Sequence, residues 1–450
     1  MSGEPTRVVI VGGGFAGFNA ARALRRALPR KADVEIVLVN RTDYFLYLPL
    51  LPEVAAAVVD PRRVTVPIPG TLPGVRLALG EVTAIAPDKD SLSYTDPEGR
   101  AHELRYDRLI LAVGSVNKLL PIPGVAEHAH GFRGVAEALY LRDHVIRQVE
   151  LADATDDPDE RAARCTFVVV GAGYTGTEVA AQGPLFTQAV ARRHPELSGQ
   201  KMRWLLLDLA PKVLPELDPR LSRAADRVLR KRGVEVLTGT SVSEATTDGV
   251  RLTTGEFVPT RTIAWCVGVR PDPLVHGAGF ETQKGRLVVD TTLAVPGQSR
   301  VFACGDAAAV PDVTRPGEVT AMTAQHASRQ GTLAGRNVAA SLGYGQLAEY
   351  KHHDLGFVVD LGGKQAAANP LHVPMSGWIA KIVTRGYHLL SMPGNRIRTA
   401  VDWLLNAVLG HQSVQLGLVR SAAVPLDTTA PAVDPAARHE PPSTRTGTDG

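Results

Sequence analysis

Cysteine is nearly absent from this chain: three residues in 450, Cys165, Cys266 and Cys304, lie far apart in the sequence. With no C-x-x-C or C-x-x-x-x-C pair, a paired-cysteine redox centre, a structural zinc site and a disulfide framework are all excluded as expectations. No stretch of about eighteen residues is both apolar and uncharged, so no helix is expected to span a bilayer. Charge imbalance is also missing. The 49 basic and 46 acidic side chains leave +3, too little to point to nucleic acid. The N-terminus runs almost directly into a strand-like segment, which leaves no room for a signal peptide and makes the cytosol the default location. Residues 419–450 are rich in Pro, Thr, Ala and Asp and poor in large apolar side chains, the composition of a disordered tail. His352 and His353 are adjacent and would point apart on regular structure, so no metal site is expected there.

What is present is a repeat. A chain of this length calls for two or three domains. "RVVIVGGGFAGFNAARAL" near its start reads as a buried strand, a glycine turn and a helix. Gly12, Gly14 and Gly17 have G-x-G-x-x-G spacing: one glycine for the tight turn, one for close approach to a pyrophosphate, one for helix–strand packing. The next strand, "VEIVLVN", ends in Asn40, where a ribose-binding Asp or Glu is expected. "TFVVVGAGYTGTEVAAQ" repeats the pattern with Gly171, Gly173 and Gly176. Its following strand, "RWLLLDL", places Asp208 at the ribose position, where an acid repels a 2′-phosphate and favours NADH over NADPH. Two such loops imply two dinucleotides, most economically a resident FAD and an exchanging NADH. "YDRLILAVGS" with Gly114 and "RTIAWCVGVRPDP" with Gly268 read as matching return strands in the two halves. "SRVFACGDAAAV" adds a turn at Gly305 and Asp306, whose carboxylate suits flavin ribityl hydroxyls.

With these motifs in hand, residues 5 to 418 resemble the type II (non-proton-pumping) NADH:quinone dehydrogenases, within the two-dinucleotide flavoprotein reductases. "FLYLPLLPEVAAAVVDPRRVTVPI" is similar to the family's segment beside the flavin ring, with Pro49, Leu50 and Leu51 at matching positions. "TAQHASRQGTLAGRN" is similar to its A-Q-x-A-x-Q-Q-G quinone motif through Ala324, Gln325, Ala327, Gln330 and Gly331. Arg329 replaces a glutamine there, and Leu48 stands where the family has another. The resemblance implies Ala324 at the FAD, Pro49, Gln325, Arg329 and Gln330 around the quinone, and Glu178 near the nicotinamide and flavin rings. Catalytic roles fall to Glu178 and Gln325. As a carboxylate at a helix N-terminus, Glu178 is expected to be stabilised by the helix dipole.

Two helix-like segments follow. In the first, Trp378, Ile379, Ile382, Val383 and Leu390 share a face opposite Lys381, Arg385 and His388. In the second, Ile397, Val401, Leu404, Leu405 and Val408 form a stripe. Periodicity leaves core packing, a homodimer and a membrane surface open. The resemblance implies peripheral docking of residues 375–410 on the cytoplasmic face of the cell membrane.

The expected fold is therefore α/β: two doubly wound, Rossmann-like domains and a C-terminal amphipathic helical region. FAD is assigned to residues 1–124 and 285–350, NADH to 125–284, membrane association or dimerisation to 351–418. The expected activity passes two electrons from NADH through flavin to a membrane quinone. The alternatives are the same fold with an iron–sulfur protein or soluble oxidant as acceptor, kept open by Arg329, and a non-turnover FAD/NADH redox sensor. A sulfide:quinone enzyme lacks its pair of cysteines.

Overall fold

The computed structural model describes residues 5–427. β1 (Thr6–Val11) lies inside the first sheet, and Val8, Val9 and Ile10 are fully buried. A strand covered on both faces needs no polar alternation, and each such side chain contributes roughly 1.5–3 kcal/mol by leaving water. α1 (Phe15–Ala27) leads to β2 (Val34–Asn40), and α2 (Leu51–Ala55) sits in the excursion that follows. β3 (Arg76–Leu79) and β4 (Arg108–Leu111) complete a parallel set in the order β4-β1-β2-β3, with an antiparallel meander over residues 81–105 between them.

α3 (Val135–Asp153) bridges to a second unit that repeats the plan. Here β5 (Thr166–Val170), α4 (Tyr174–Ala191), β6 (Arg203–Asp208), β7 (Val234–Thr238) and β8 (Thr262–Trp265) give the parallel order β7-β6-β5-β8. Again a meander, residues 242–259, precedes the last strand. β9 (Val301–Ala303) then returns to the first sheet beside β4, so the second unit is inserted into the first. The two crossings pair with each other as an antiparallel ribbon, Ser115–Asn117 with Val269–Pro271.

α5 (Ala324–Ser341) packs along α1. After it comes a small antiparallel sheet of Val358–Asp360, Ala366–Ala368 and Met375–Ser376, with strands too short to show alternation in sequence. α6 (Gly377–Ser391) and α7 (Arg396–Leu409) end the regular structure.

One open question closes in this region and one expectation changes. The apolar stripes exist and face outward, which removes core packing and leaves a membrane surface or a homodimer. Trp378, Ile382, Leu390, Leu404 and Val408 are exposed, while Lys381 and His388 on α6 and Trp403 on α7 are buried. Val383 leaves the stripe and borders the interior cavity described below. The tail also begins later than residue 419. Ser421–Ala423 makes a helical turn, and Leu426 is buried beside Val125 and Trp265, its carbonyl accepting from Asn117 Nδ2 at 3.2 Å. One leucine entering an apolar socket anchors a segment whose average composition is polar. Residues 428–450 of the expected tail lie outside the described residues.

Candidate active site

The two glycine loops share their construction. A Cβ on Gly17 would lie 1.8 Å from the Gly12 carbonyl oxygen, and one on Gly176 would lie 1.8 Å from that of Gly171. Gly12 and Gly171 have φ of +98° and +101°, a region that L side chains avoid. Behind each loop, the residue ending the second strand accepts a loop N–H. Asn40 Oδ1 takes that of Gly13 at 2.8 Å, and Asp208 Oδ2 takes that of Ala172 at 2.5 Å. Asn40 also donates to the Thr42 carbonyl, and Asp208 Oδ1 accepts from Ala210. Asn40 therefore does the loop-fixing work that Asp208 does in the second unit. Asp208 stands behind its loop and not on the cavity wall.

One cavity of about 1290 Å³ joins the two units. Of the residues singled out in the sequence, Gly12, Gly14, Asn40, Pro49, Gly114, Glu178, Gly268, Gly305, Asp306, Ala324 and Gln325 border it. Gly17, Gly171, Gly173, Gly176 and Asp208 support the loops from outside it. Two of the residues expected at the quinone are displaced from the wall. Gln330 is fully buried, its amide accepting from Gly305 N at 2.8 Å and donating to Thr320 Oγ1 at 2.9 Å. Arg329 turns to the loop beyond α5, donating to the His353 carbonyl and approaching His352 Nδ1 at 3.2 Å. On an α-helix, successive turns face different neighbours; the first turn, Ala324 to Ala327, borders the cavity, while Arg329 and Gln330 do not.

Glu178 also differs from expectation in its electrostatics. It lies in the second turn of α4, beyond the first-turn N–H groups, and is buried. Burial drives its carboxyl well above the usual range, opposed by a hydrogen bond from the Asp360 N–H at 2.8 Å. Desolvation outweighs that hydrogen bond, so burial favours the protonated form of this acid on the cavity wall. Around it lies a cluster that the sequence reading missed. Lys381 Nζ binds Asp360 Oδ1 at 2.7 Å and stands 3.7 Å from Glu53 Oε1, and the Trp403 indole N–H donates to Glu53 Oε2. Burial raises Glu53 to about 7, while Lys381 keeps Asp360 below its ordinary value against burial. Beside the cavity, His388 is held down to about 4 by burial and meets the Tyr47 hydroxyl at 3.1 Å. The available signals were a single acid inside the apolar run "PLLPEVAAA" and a single lysine inside "WIAKIV". Arg133 was missed as well. It is a cavity-lining cation whose NH1 donates to Ser115 Oγ at 3.2 Å, while Ser115 donates to Asp306 at 2.6 Å. The cysteines are inert: burial pushes Cys165 up to about 11 and Cys266 and Cys304 up to about 12.

Comparison with known proteins follows this geometry. The pyridine nucleotide-disulphide oxidoreductase family matches residues 6–331. The type II NADH:quinone oxidoreductase Ndh of Mycobacterium tuberculosis is 32% identical over 415 residues, covering 88% of this chain and 87% of the relative. The chain belongs to this family. Its NdhA relative from the same organism is also 32% identical, over 89% of this chain and 88% of its own length. The demethylphylloquinone reductase NdbB of Synechocystis is 28% identical over 90% of this chain and 97% of its own. In fold, the chain matches NDH2 of Plasmodium falciparum, solved with NADH, at a TM-score of 0.82, with 91% of this chain and 100% of that one covered at 16% identity.

The residues present fit the family's FAD. A Cβ on Gly14 or Gly114 would enter open space, as a cradle for a bulky ligand requires. Asp306 and Arg133 put a hydrogen-bond acceptor and a cation on the same wall. The N-terminus of α5, capped by Thr323, opens towards the cavity and carries partial positive charge.

Proposed function

We propose that this chain oxidises NADH and reduces a membrane quinone without moving protons across the bilayer. One observation carries the reading: a single cavity runs from the first glycine loop to the start of α4, the helix that follows the second loop, and is bordered by Glu178 together with Pro49 and Gln325. FAD, when bound, supplies the two-electron link between nicotinamide and quinone. The first unit, with β9 returning to it, holds FAD and the inserted unit holds NADH. Asp208, its charge beside the second loop, selects NADH over its 2′-phosphorylated form. Glu178, neutral and in reach of the cavity, orients the nicotinamide and keeps a proton at the reacting rings. Pro49 and Gln325 border the acceptor. Because Arg329 turns to the loop at His352 and His353 and does not border the cavity, it places no cation where the quinone would sit, which supports the quinone reading. The test is continuous NADH oxidation by the purified yellow protein with a short-chain quinone, followed at the nicotinamide band. A single bleaching without turnover sinks this reading and leaves a redox sensor.

Among the described residues no helix is long and apolar enough to cross a membrane. The outward apolar faces of α6 and α7 support peripheral attachment at the cytoplasmic face of the cell membrane. Introducing Ile382→Glu together with Leu404→Glu is expected to lower the bound fraction at least tenfold in liposome sedimentation. Unchanged binding would remove this role, and a halved mass in the variant would instead assign the face to a homodimer.

A further inference from the structure

Glu53 has no part in the reading above, yet it is 2% exposed and surrounded by charge. Three buried carboxyl groups, Glu53, Glu178 and Asp360, meet within one cluster. Among the described residues only Lys381 brings a cation within 4.0 Å of any of them, at Asp360 and, more distantly, at Glu53. A buried cluster cannot hold three anions against one cation, so it carries protons in its resting state. Lys381 satisfies Asp360, and the remaining protons belong to Glu178 and Glu53.

The groups facing Glu53 come from several elements. Asp360 is on the small sheet, Glu178 on α4, and Lys381 and Arg385 are on α6. α7 contributes the Trp403 N–H, with the Arg385 guanidinium 4.8 Å from the centre of the Trp403 ring. His411, beyond α7, bonds the backbone of Ala56. α3, also packed on α2, turns Asp143 to the Gly417 N–H and His144 to Thr262.

We propose that Glu53 is a proton-holding, positioning residue that resupplies Glu178 during quinone reduction, held in place by Trp403. This rests on the quinone reading. Hydride from NADH brings two electrons and one proton, and a quinone needs two electrons and two protons to become quinol. The second proton leaves the Glu178 carboxyl, breaking its O–H bond as the quinol O–H forms. Glu178 regains a proton from Glu53 through the Asp360–Lys381 bridge, and Glu53 is recharged from solvent. The two residues of α6 and α7 that hold Glu53, Lys381 and Trp403, project inward from helices whose outer faces are apolar, so the acid sits where surface attachment and chemistry meet.

The test uses the full-length flavin-loaded protein and two readouts. Infrared titration of carboxylic C=O stretching should show a band lost near pH 7 in the wild type. It should be absent in Glu53→Gln and displaced to higher pH in Trp403→Phe, which loses a hydrogen bond to the carboxylate. Quinone turnover in Glu53→Gln should fall about tenfold or more and lose its pH limb near neutrality. A band that persists in Glu53→Gln, or a turnover profile that superimposes on the wild type, overturns the proposal. If Glu53→Gln fails to fold, an unmoved band in Trp403→Phe overturns it equally. Should the wild type reduce no quinone at all, the activity reading fails separately, while the infrared titration still reads the protonation of Glu53.

Discussion

Gly17→Ala is expected to purify without flavin, whereas Gly176→Ala should remain yellow and lose its hold on NADH. In both loops the added methyl meets a carbonyl oxygen at 1.8 Å, far inside any contact that backbone can tolerate. The obstructing atom belongs to the first glycine of the same loop, whose positive φ leaves it no alternative turn. The strain is relieved only by separating helix from strand. That separation moves the helix N-terminus and its free N–H groups away from the pyrophosphate. Each substitution should affect one nucleotide, because the loops lie in different sheets with their own anchors, Asn40 and Asp208. For Gly176→Ala we expect NADH affinity to fall at least a hundredfold, about 2.7 kcal/mol. The flavin absorbance per protein, set against a titration of NADH binding, separates the two variants. A Gly176→Ala protein that binds NADH normally would mean that the second loop serves another ligand.

Lys381→Met should be the most destabilising single change in the C-terminal region, by roughly 3–5 kcal/mol, because it strands Asp360 as a buried anion beside two more acids. The pH dependence follows from the shifts. Asp360 has its folded value lowered with Lys381 present, so its contribution is complete above the ordinary aspartate value and lost as pH falls through the lowered one. Glu53 has its folded value raised to about 7, so its contribution is complete below about 4.5 and lost as pH rises towards 7. Without the lysine both groups prefer to stay protonated. The deficit should therefore grow from acid to neutral pH and fade only as pH falls through the lowered Asp360 value. Paired thermal melts across that range measure it. A deficit that is the same at every pH would mean that Lys381 contributes by packing alone.

The repeat was legible because its cause is local. Glycine spacing, a β-branched strand and a following helix lie within about twenty residues, and short-range sterics decide their conformation. The same holds for the position of Asn40 and Asp208 at a strand end. What each does there was not legible, since the N–H that each accepts belongs to a loop more than a strand away. Arg329 and Gln330 carry the clearest lesson. The motif around them marks the right helix, but which face of α5 meets the cavity depends on α1 and on the loop through His352 and His353. The outward turn of α6 and α7 was likewise undecided, because an amphipathic period states that two faces differ and not which one is covered.

From its sequence alone, this protein had its class, its internal duplication and the addresses of its two nucleotide loops, because those rest on backbone geometry and contacts between near neighbours. Only the tertiary structure assembled Glu53, Glu178, Asp360, Lys381 and Trp403, drawn from positions 53 to 403. It also replaced the helix-end stabilisation expected for Glu178 with burial that favours its protonated form. Burial and mutual charge decide protonation, and both are properties of what surrounds a residue in space.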